Sequence, residues 1–300
     1  MTSPAASSFA DVAPHRRFNP LAGEWVLVSP QRANRPWQGQ EEAAATETAP
    51  CHDPSCYLCP GTRRVKGARN ADYRGPFVFA NDFPAILPHA QGTAAKVYDS
   101  PLFHSAPVRG EARVVCYSER HDLAMARLPL AATRSVVDCW ADQYAELSAR
   151  FDWVAIFENR GAAMGCSNPH PHGQIWATDS VPTLPLREDL AQRGWLAIHG
   201  EPLLETLARE EIAVGERIIF KTAHWLCLVP FWAVWPFETL LLPLFPATRF
   251  TDIGSDERDH LARALRMLTT PYDNLFRTDF PYSMGWHCAP GRSEIGRAHV

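Results

Sequence analysis

Residues 165–174 read G-C-S-N-P-H-P-H-G-Q, and their alternation of proline with histidine predicts a stiff, extended segment. Proline fixes its own φ and favours extended backbone at the residue before it. Side chains two residues apart in extended backbone point to the same side. We therefore expect His170, His172 and Gln174 to share one face of a strand.

Such a face suits phosphoryl transfer. A neutral imidazole attacks phosphorus and departs again, which divides an exchange between two phosphate esters into two steps through a covalent intermediate. Gln174 can donate a hydrogen bond to a phosphoryl oxygen but cannot exchange protons, so transfer is favoured over hydrolysis. Gly165 and Ser167 belong to a small, polar stretch that could cradle a phosphate. The alternative is a histidine pair with only a structural role in a polar turn.

Composition narrows the class of protein. The 300 residues are 46% apolar and carry a formal net charge of −4. That balance argues against nonspecific binding to nucleic acid or to an anionic membrane. No run of 18 apolar residues and no signal-peptide pattern is found, so neither a transmembrane helix nor secretion is expected. Eight cysteines in such a chain indicate a reducing, cytoplasmic compartment and a metal site rather than disulfides.

The order of predicted elements indicates an α+β fold built from two similar units. Prolines at the ends of apolar runs favour strands and turns over long helices. Residues 131–151 and 256–268 have helical apolar spacing, the second with Ser255 or Asp256 as its cap. The predicted strands are 77–79, 112–117, 153–158, 173–177, 225–229, 238–242 and 282–286. We infer an internal duplication, with units at 1–185 and 186–292; residues 293–300 have no strand or helix pattern and are expected to be an artificial tail.

Two cysteines form a metal half-site. Cys56 and Cys59 have the C-x-x-C spacing that suits tetrahedral zinc. Two further ligands must come from elsewhere, and His121 and His170 are candidates. Free buried thiols are the competing interpretation.

Other polar residues carry weaker indications. Arg32 and Arg35 are spaced to bind a diphosphate, or they form a solvated basic patch. Asn81 and Asp82 at a strand end could bind a ribose or a base, or they form an ordinary turn. Glu188 and His287 are isolated polar residues whose positions alone do not indicate a function.

Together these segments resemble galactose-1-phosphate uridylyltransferases of the bacterial and animal type. The resemblance covers about residues 15–290 and is most specific in the H-P-H-G-Q segment, since histidine-triad hydrolases carry a third histidine where Gln174 stands. The runs that carry it are C-x-L-C-x-G, V-F-x-N-D-F, F-E-N-x-G-A-A-M-G-C-S-N-P-H-P-H-G-Q-I-W, W-P-F-E-T-L-L-L-P and Y-D-N-L-F…P-Y-S-M-G-W-H.

The resemblance implies a histidine-triad-like fold, with two duplicated units around an antiparallel half-barrel sheet flanked by helices, in a homodimer. It implies that His172 attacks UDP-glucose, releases glucose 1-phosphate and passes the uridylyl group to galactose 1-phosphate, with Gln174 holding the phosphoryl group. The residues implied to bind substrate are Arg32, Arg35, Asn81, Asp82, Asn159, Gly165, Cys166 and Ser167. The implied zinc ligands are Cys56, Cys59, His121 and His170.

A second metal site, with iron or zinc, is implied at Glu188 and His287. Its other two ligands would lie on a strand beyond residue 292, so we expect this site to be incomplete and the 300-residue chain to show low activity or poor solubility. Two further hypotheses remain open. One is a related nucleotidyltransferase or phosphorylase acting on another nucleotide, and the other is a non-enzymatic zinc-binding or nucleotide-sensing module.

Overall fold

The computed structural model describes residues 13–34, 36, 49–88, 100 and 102–291. These residues form antiparallel sheets flanked by four α-helices, which confirms the predicted α+β class. The helices are α1 (Leu130–Ser148), α2 (Thr183–His199), α3 (Leu203–Val214) and α4 (Ser255–Phe276). The strands are β1 (His15–Asn19), β2 (Glu24–Val28), β3 (Phe77–Ala80), β4 (Gly110–Cys116), β5 (Trp153–Arg160), β6 (His172–Thr178), β7 (Ile218–Lys221), β8 (Trp225–Leu228), β9 (Leu240–Pro243) and β10 (Tyr282–Trp286).

The main sheet has five antiparallel strands in the order β10-β5-β6-β4-β3. β6 begins at His172 and lies at the centre, paired with β4 on one side and β5 on the other. Alternation along β6 turns Ile175 and Ala177 into the core and leaves His172 and Gln174 on the half-exposed face. The histidine strand is thus supported on both edges, while its polar face stays accessible.

The core lies between this sheet and the two long helices α1 and α4. The apolar face predicted for α1 is buried, and Trp140 on it meets Tyr117 edge-on, with ring centroids 5.8 Å apart. Leu261 and Leu265 of α4 enter the same core from the other helix. Burying such side chains stabilises each by about 1.5–3 kcal/mol, and the packing holds the sheet rigid behind β6.

Three features of the helices differ from the sequence-based expectation. α2 and α3 were not predicted, yet each follows a proline and ends at a glycine with φ near +70°, Gly200 and Gly215. Proline does not oppose a helix that starts after it, because the first N–H groups of a helix need no partner inside it. α4 begins after Gly254 rather than after a side-chain cap, and it runs through Pro271.

The second half of the chain builds a smaller sheet and lends one strand to the main sheet. β7, β8 and β9 form a three-stranded antiparallel sheet. β10, which we assigned to the second unit, pairs with β5 of the first unit, with Trp286 opposite Ile156. The predicted boundary at 185/186 falls in the first turn of α2, and the two-unit division remains a prediction; residues 293–300 lie outside the described part.

Within the described ranges, no helix combines the length and the apolar character needed to cross a bilayer.

Candidate functional site

Four buried sulfur and nitrogen ligands converge next to the main sheet. Cys59 Sγ lies 3.5 Å from His121 Nδ1 and 3.5 Å from His170 Nδ1, and Cys56 completes a set whose ligand atoms all lie within 4.8 Å of one another. In a tetrahedral zinc site, bonds of 2.0–2.3 Å place sulfur and nitrogen about 3.5 Å apart. The donor set and its spacing therefore fit a tetrahedral metal ion.

Burial sets the protonation of this cluster in the absence of an ion. It raises the pKa of the Cys59 thiol to about 11 and lowers the pKa of His170 to about 4. His170 is thus neutral, the form that binds metals, whereas the thiol needs a neighbouring cation to lose its proton. A bound divalent ion would supply that charge. The geometry is compatible with a bound metal ion.

A shell of hydrogen bonds orients the four ligands. His170 Nε2 donates to the Ser118 carbonyl at 3.0 Å, which leaves Nδ1 facing the cysteines. The Asn168 side-chain oxygen accepts the His170 backbone N–H at 2.9 Å and lies 3.5 Å from Cys56 Sγ. Asn70 donates to the carbonyl of Cys59 at 3.0 Å and so closes the C-x-x-C turn. Ser118 and Asn70 were not singled out from the sequence, because each is distant in the chain from the ligand it orients.

His172 is oriented by His170, a member of the cysteine–histidine cluster. Its Nδ1 lies 2.7 Å from the His170 carbonyl oxygen. Since a carbonyl can only accept, Nδ1 carries the proton and the lone pair is on Nε2. Burial lowers the pKa of His172, which favours the neutral ring. The first residue of β6 therefore presents a neutral imidazole with a defined tautomer.

Gln174 stands two residues further along the same face. Its Oε1 accepts a hydrogen bond from the Trp176 indole N–H at 3.3 Å. The indole N–H can only donate, so it contacts the amide oxygen of Gln174 and not the amide nitrogen. The Gln174 amide nitrogen is then the end that remains to donate to an anionic ligand. His172 and Gln174 can therefore contact one phosphoryl group from neighbouring positions on the same face of β6.

The loop between β5 and β6 supplies room for such a ligand. Gly161 and Gly165 have φ of +86° and +78°, values that L-residues with side chains rarely adopt. Between them lies a short 3₁₀ turn, Ala162–Met164, and the Cys166 N–H returns to the Gly161 carbonyl at 3.2 Å. Ser167 follows as an exposed residue. The two glycines therefore permit a tight, largely exposed loop directly before β6.

Of the residues expected to bind the nucleotide, Asn81 and Asp82 follow β3, and Arg32 lies in a short 3₁₀ turn. Asn81 follows β3 and its side chain caps a turn by accepting the Phe83 N–H at 2.9 Å, while Asp82 lies 3.8 Å from Arg64. Arg32 is exposed at a 3₁₀ turn, and in the described ranges no hydrogen bond or ion pair joins it to the β6 face. Arg35 lies outside the described residues.

Asn159 has a partner that the sequence did not indicate. Ser283 of β10 donates its hydroxyl proton to Asn159 Oδ1 at 2.6 Å. The two residues are paired in the β5–β10 register. Ser283 lay within a predicted strand, but only the pairing of that strand with β5 brings it to the site.

The Glu188 carboxylate from α2 meets His287 Nδ1 at 2.8 Å, just after β10. The two residues predicted as half of a second metal site are thus brought together. They line a cavity of about 820 Å³ together with Ser283 and Met164. That size is typical of ligand pockets, but His172 and Gln174 are not among its walls. The cavity therefore borders the Asn159–Ser283 side of the site rather than enclosing the nucleophile.

Comparison with known proteins agrees with this arrangement. Residues 6–182 match the profile described as "Galactose-1-phosphate uridyl transferase, N-terminal domain", and residues 188–300 match that of the C-terminal domain. The galactose-1-phosphate uridylyltransferase of Haemophilus influenzae is 51% identical over 94% of this chain and 80% of its own length. The Rattus norvegicus protein of that name is 47% identical over 95% of this chain and 75% of its own.

Solved structures show the same fold. A structure described as "Structure of uridylyltransferase" superposes with a TM-score of 0.74 at 25% identity, covering 95% of this chain and 84% of its own. An ADP-glucose phosphorylase from Arabidopsis thaliana reaches the same TM-score at 19% identity, with 96% and 87% covered, and so shares the fold. On these matches, the chain belongs to the galactose-1-phosphate uridylyltransferase family.

Proposed function

We propose that this protein is a UDP-glucose–hexose-1-phosphate uridylyltransferase with His172 as its nucleophile and galactose 1-phosphate as its acceptor. The observation that carries the proposal is the 2.7 Å hydrogen bond from His172 Nδ1 to the His170 carbonyl, which leaves Nε2 as the free nucleophilic atom. Membership in the family supports the two substrates.

The proposed reaction has two displacements at one phosphorus atom. In the first, His172 Nε2 attacks the α-phosphorus of UDP-glucose, and the bond to the bridging oxygen breaks to release glucose 1-phosphate. In the second, a phosphate oxygen of galactose 1-phosphate attacks the same phosphorus, and Nε2 leaves with its electron pair. UDP-galactose is formed and the neutral imidazole is restored. The leaving groups are a phosphate ester in the first step and the neutral imidazole of His172 in the second; both are weak bases, so neither step requires a general acid.

The neighbouring residues have supporting roles in this scheme. Gln174 donates its amide to a non-bridging phosphoryl oxygen, and the exposed Ser167 donates to another, while Gly165 and Cys166 line the same side of the phosphate. Charge that develops on those oxygens is met by fixed dipoles rather than by reorienting water. Contacts to the diphosphate and the uridine are assigned to Arg32, Arg35, Asn81, Asp82 and Asn159.

We also propose that zinc binds at the four-ligand cluster, held by Cys56, Cys59, His121 and His170. Two thiolates and two imidazoles are donors that zinc prefers. The ion would supply structural order there, because it ties the C-x-x-C turn to the residue whose carbonyl orients His172. Zinc or iron at Glu188 and His287 is proposed as a second, separate site. Metal analysis of the purified protein, with Cys59→Ser as the comparison, tests the first assignment: Cys59→Ser should lose one zinc equivalent.

The proposed location is the cytoplasm and the proposed assembly is a homodimer. All eight cysteines are free thiols, as a reducing compartment requires. Several large apolar side chains of α2 are exposed in the single chain, Leu190 and Ile198 by 60% and 78%. Surfaces of this kind often mark protein contacts. Light scattering of the purified protein measures the assembly directly.

Mass spectrometry after incubation with UDP-glucose tests the covalent step. The wild-type protein should gain the mass of one uridylyl group on His172, and galactose 1-phosphate should remove it. His172→Asn should gain none, whereas His104→Asn, at an exposed histidine, should behave as wild type. An adduct on another residue, or turnover without any adduct, would contradict the mechanism. An adenylyl adduct formed from ADP-glucose or ATP alone would instead favour a related nucleotidyltransferase.

A further inference from the structure

A second group of metal-binding side chains lies outside the candidate active site. His224, Asp256 and His260 each present one ligand atom, and the three atoms lie within 4.8 Å of one another. His224 Nε2 is 2.7 Å from an Asp256 carboxylate oxygen, and the His224 and His260 ring centroids are 4.8 Å apart. None of the three belongs to the uridylyltransferase site proposed above.

The backbone holds these residues in place from two separate elements. His224 lies in the turn between β7 and β8, where its carbonyl accepts the Leu244 N–H at 2.8 Å. The next residue, Trp225, is fully buried and donates its indole N–H to the Glu257 carbonyl at 3.0 Å, in the first turn of α4. The turn is thereby tethered beside Asp256. A ligand that bridges turn and helix would meet groups that already face each other.

On α4 itself, Asp256 and His260 are four residues apart and so lie one above the other on the same helix face. This is the spacing at which two side chains of a helix can bind one ion. With all three separations at most 4.8 Å, there is a point no further than about 2.8 Å from each ligand atom, and zinc–nitrogen bonds are about 2.0–2.1 Å. Side chains at a partly exposed site can move inward by the remaining ~0.7 Å.

The donor chemistry selects the kind of ion. Two imidazoles and one carboxylate suit borderline divalent ions such as Zn²⁺, Ni²⁺ and Co²⁺, whereas Mg²⁺ and Ca²⁺ prefer oxygen ligands alone. Three protein ligands leave coordination positions for water. The positive end of the α4 dipole opposes a cation, but Asp256 brings a full negative charge into direct contact with it.

We propose that His224, Asp256 and His260 form a peripheral binding site for a borderline divalent transition-metal ion, which clamps the β7–β8 turn to the start of α4. Because the ion binds the folded arrangement, it stabilises the protein against unfolding by mass action. The site is independent of the proposed transferase reaction, so the two hypotheses stand or fall separately.

Nickel uptake by the untagged protein tests the site, after a weak chelator has removed loosely bound metal ions and left the cysteine–histidine cluster loaded with zinc. Isothermal titration with Ni²⁺ is run on wild type, His260→Gln, Asp256→Asn and the control His104→Gln, which removes an exposed histidine outside the cluster. Every variant retains the cysteine–histidine cluster and the Glu188–His287 pair, so nickel that binds there is common to all. Thermal melting without nickel verifies that each variant is folded.

Wild type and His104→Gln should bind one nickel ion more tightly than the other two variants, by about tenfold or more, because even the loss of an outer-shell partner typically weakens metal binding about 10- to 100-fold. Nickel should also raise the melting temperature of wild type and not that of His260→Gln. Equal uptake by wild type, His260→Gln and Asp256→Asn would overturn the proposal, and so would a wild type that binds no nickel. If His260→Gln does not fold, Asp256→Asn carries the same comparison.

Discussion

Glu158→Gln should remove a pH-dependent loss of stability that the wild-type protein shows between pH 5 and pH 8. Glu158 lies on β5 and is 3% exposed. Burial raises its pKa from an ordinary value of 4.5 to about 7. The Arg160 guanidinium and the hydroxyls of Tyr117 and Tyr282 oppose this shift only in part. Arg160 forms ion pairs with Asp273 and Asp279, which weakens its electrostatic stabilisation of the Glu158 carboxylate.

The direction and size follow from proton linkage. A raised folded-state pKa means that the folded protein binds the proton more tightly than the unfolded chain does. The stabilisation is present below pH 4.5 and is lost as the pH rises to about 7. Raising the pKa of this carboxyl group from 4.5 to about 7 corresponds to about 3 kcal/mol, since each tenfold change in proton affinity is worth about 1.36 kcal/mol. Between pH 5 and pH 8 the wild type should therefore lose roughly 2–3 kcal/mol through Glu158 alone.

Urea unfolding of both proteins at four pH values measures this. Metal sites and histidines also titrate in that range, but they are common to both proteins, so the difference between wild type and Glu158→Gln isolates the carboxyl group. The free energy of unfolding of Glu158→Gln, relative to that of wild type, should increase as the pH rises. Glu216→Gln, at an exposed position, controls for the loss of a charge and should track wild type. Parallel pH curves for wild type and Glu158→Gln would refute the reasoning.

Three other substitutions test the packing and hydrogen bonds around β6. Asn168→Ala should cost about 1–3 kcal/mol in urea unfolding and lower zinc content, because it strands the buried His170 N–H; unchanged zinc content and stability would speak against this orienting role. Gly173→Ala should destabilise by about 1–3 kcal/mol and slow turnover, since its methyl would meet the Tyr117 hydroxyl at 2.5 Å and a strand carbonyl at 2.9 Å; a neutral result in both assays would mean that the sheet yields there. Trp140→Ala should cost about 3–5 kcal/mol by opening a core cavity, and thermal melting within a degree of wild type would contradict it.

Local sequence patterns predicted the elements whose periodicity is undisturbed. The helix expected at 131–151 is α1, and the strand after the proline–histidine alternation is β6. The same reasoning missed α2, whose buried face carries Glu188 and Asp189 while several of its leucines are exposed. A helix patterned in this way lacks the apolar stripe by which amphipathic helices are recognised.

In the candidate site, too, local patterns predicted some features and missed others. The Cys56–Cys59 half-site and the His172–Gln174 pair are predicted by spacing, because each depends on residues a few positions apart. The Asn159–Ser283 bond joins residues 124 positions apart. Such a contact depends on which strands pair and in which register, and neither is encoded within a short window.

By itself, the amino-acid sequence determined the α+β class, the C-x-x-C spacing of Cys56 and Cys59, and the strand that carries His172. These follow from local backbone preferences and from the chemistry of side chains, which neighbouring residues largely set. Only the tertiary structure decided that β10 crosses to pair with β5, that the His170 carbonyl orients His172, and that His224 meets Asp256 and His260. Those contacts arise when distant segments are packed against a common core, since burial and hydrogen bonding across the fold select one arrangement among many that the local patterns allow.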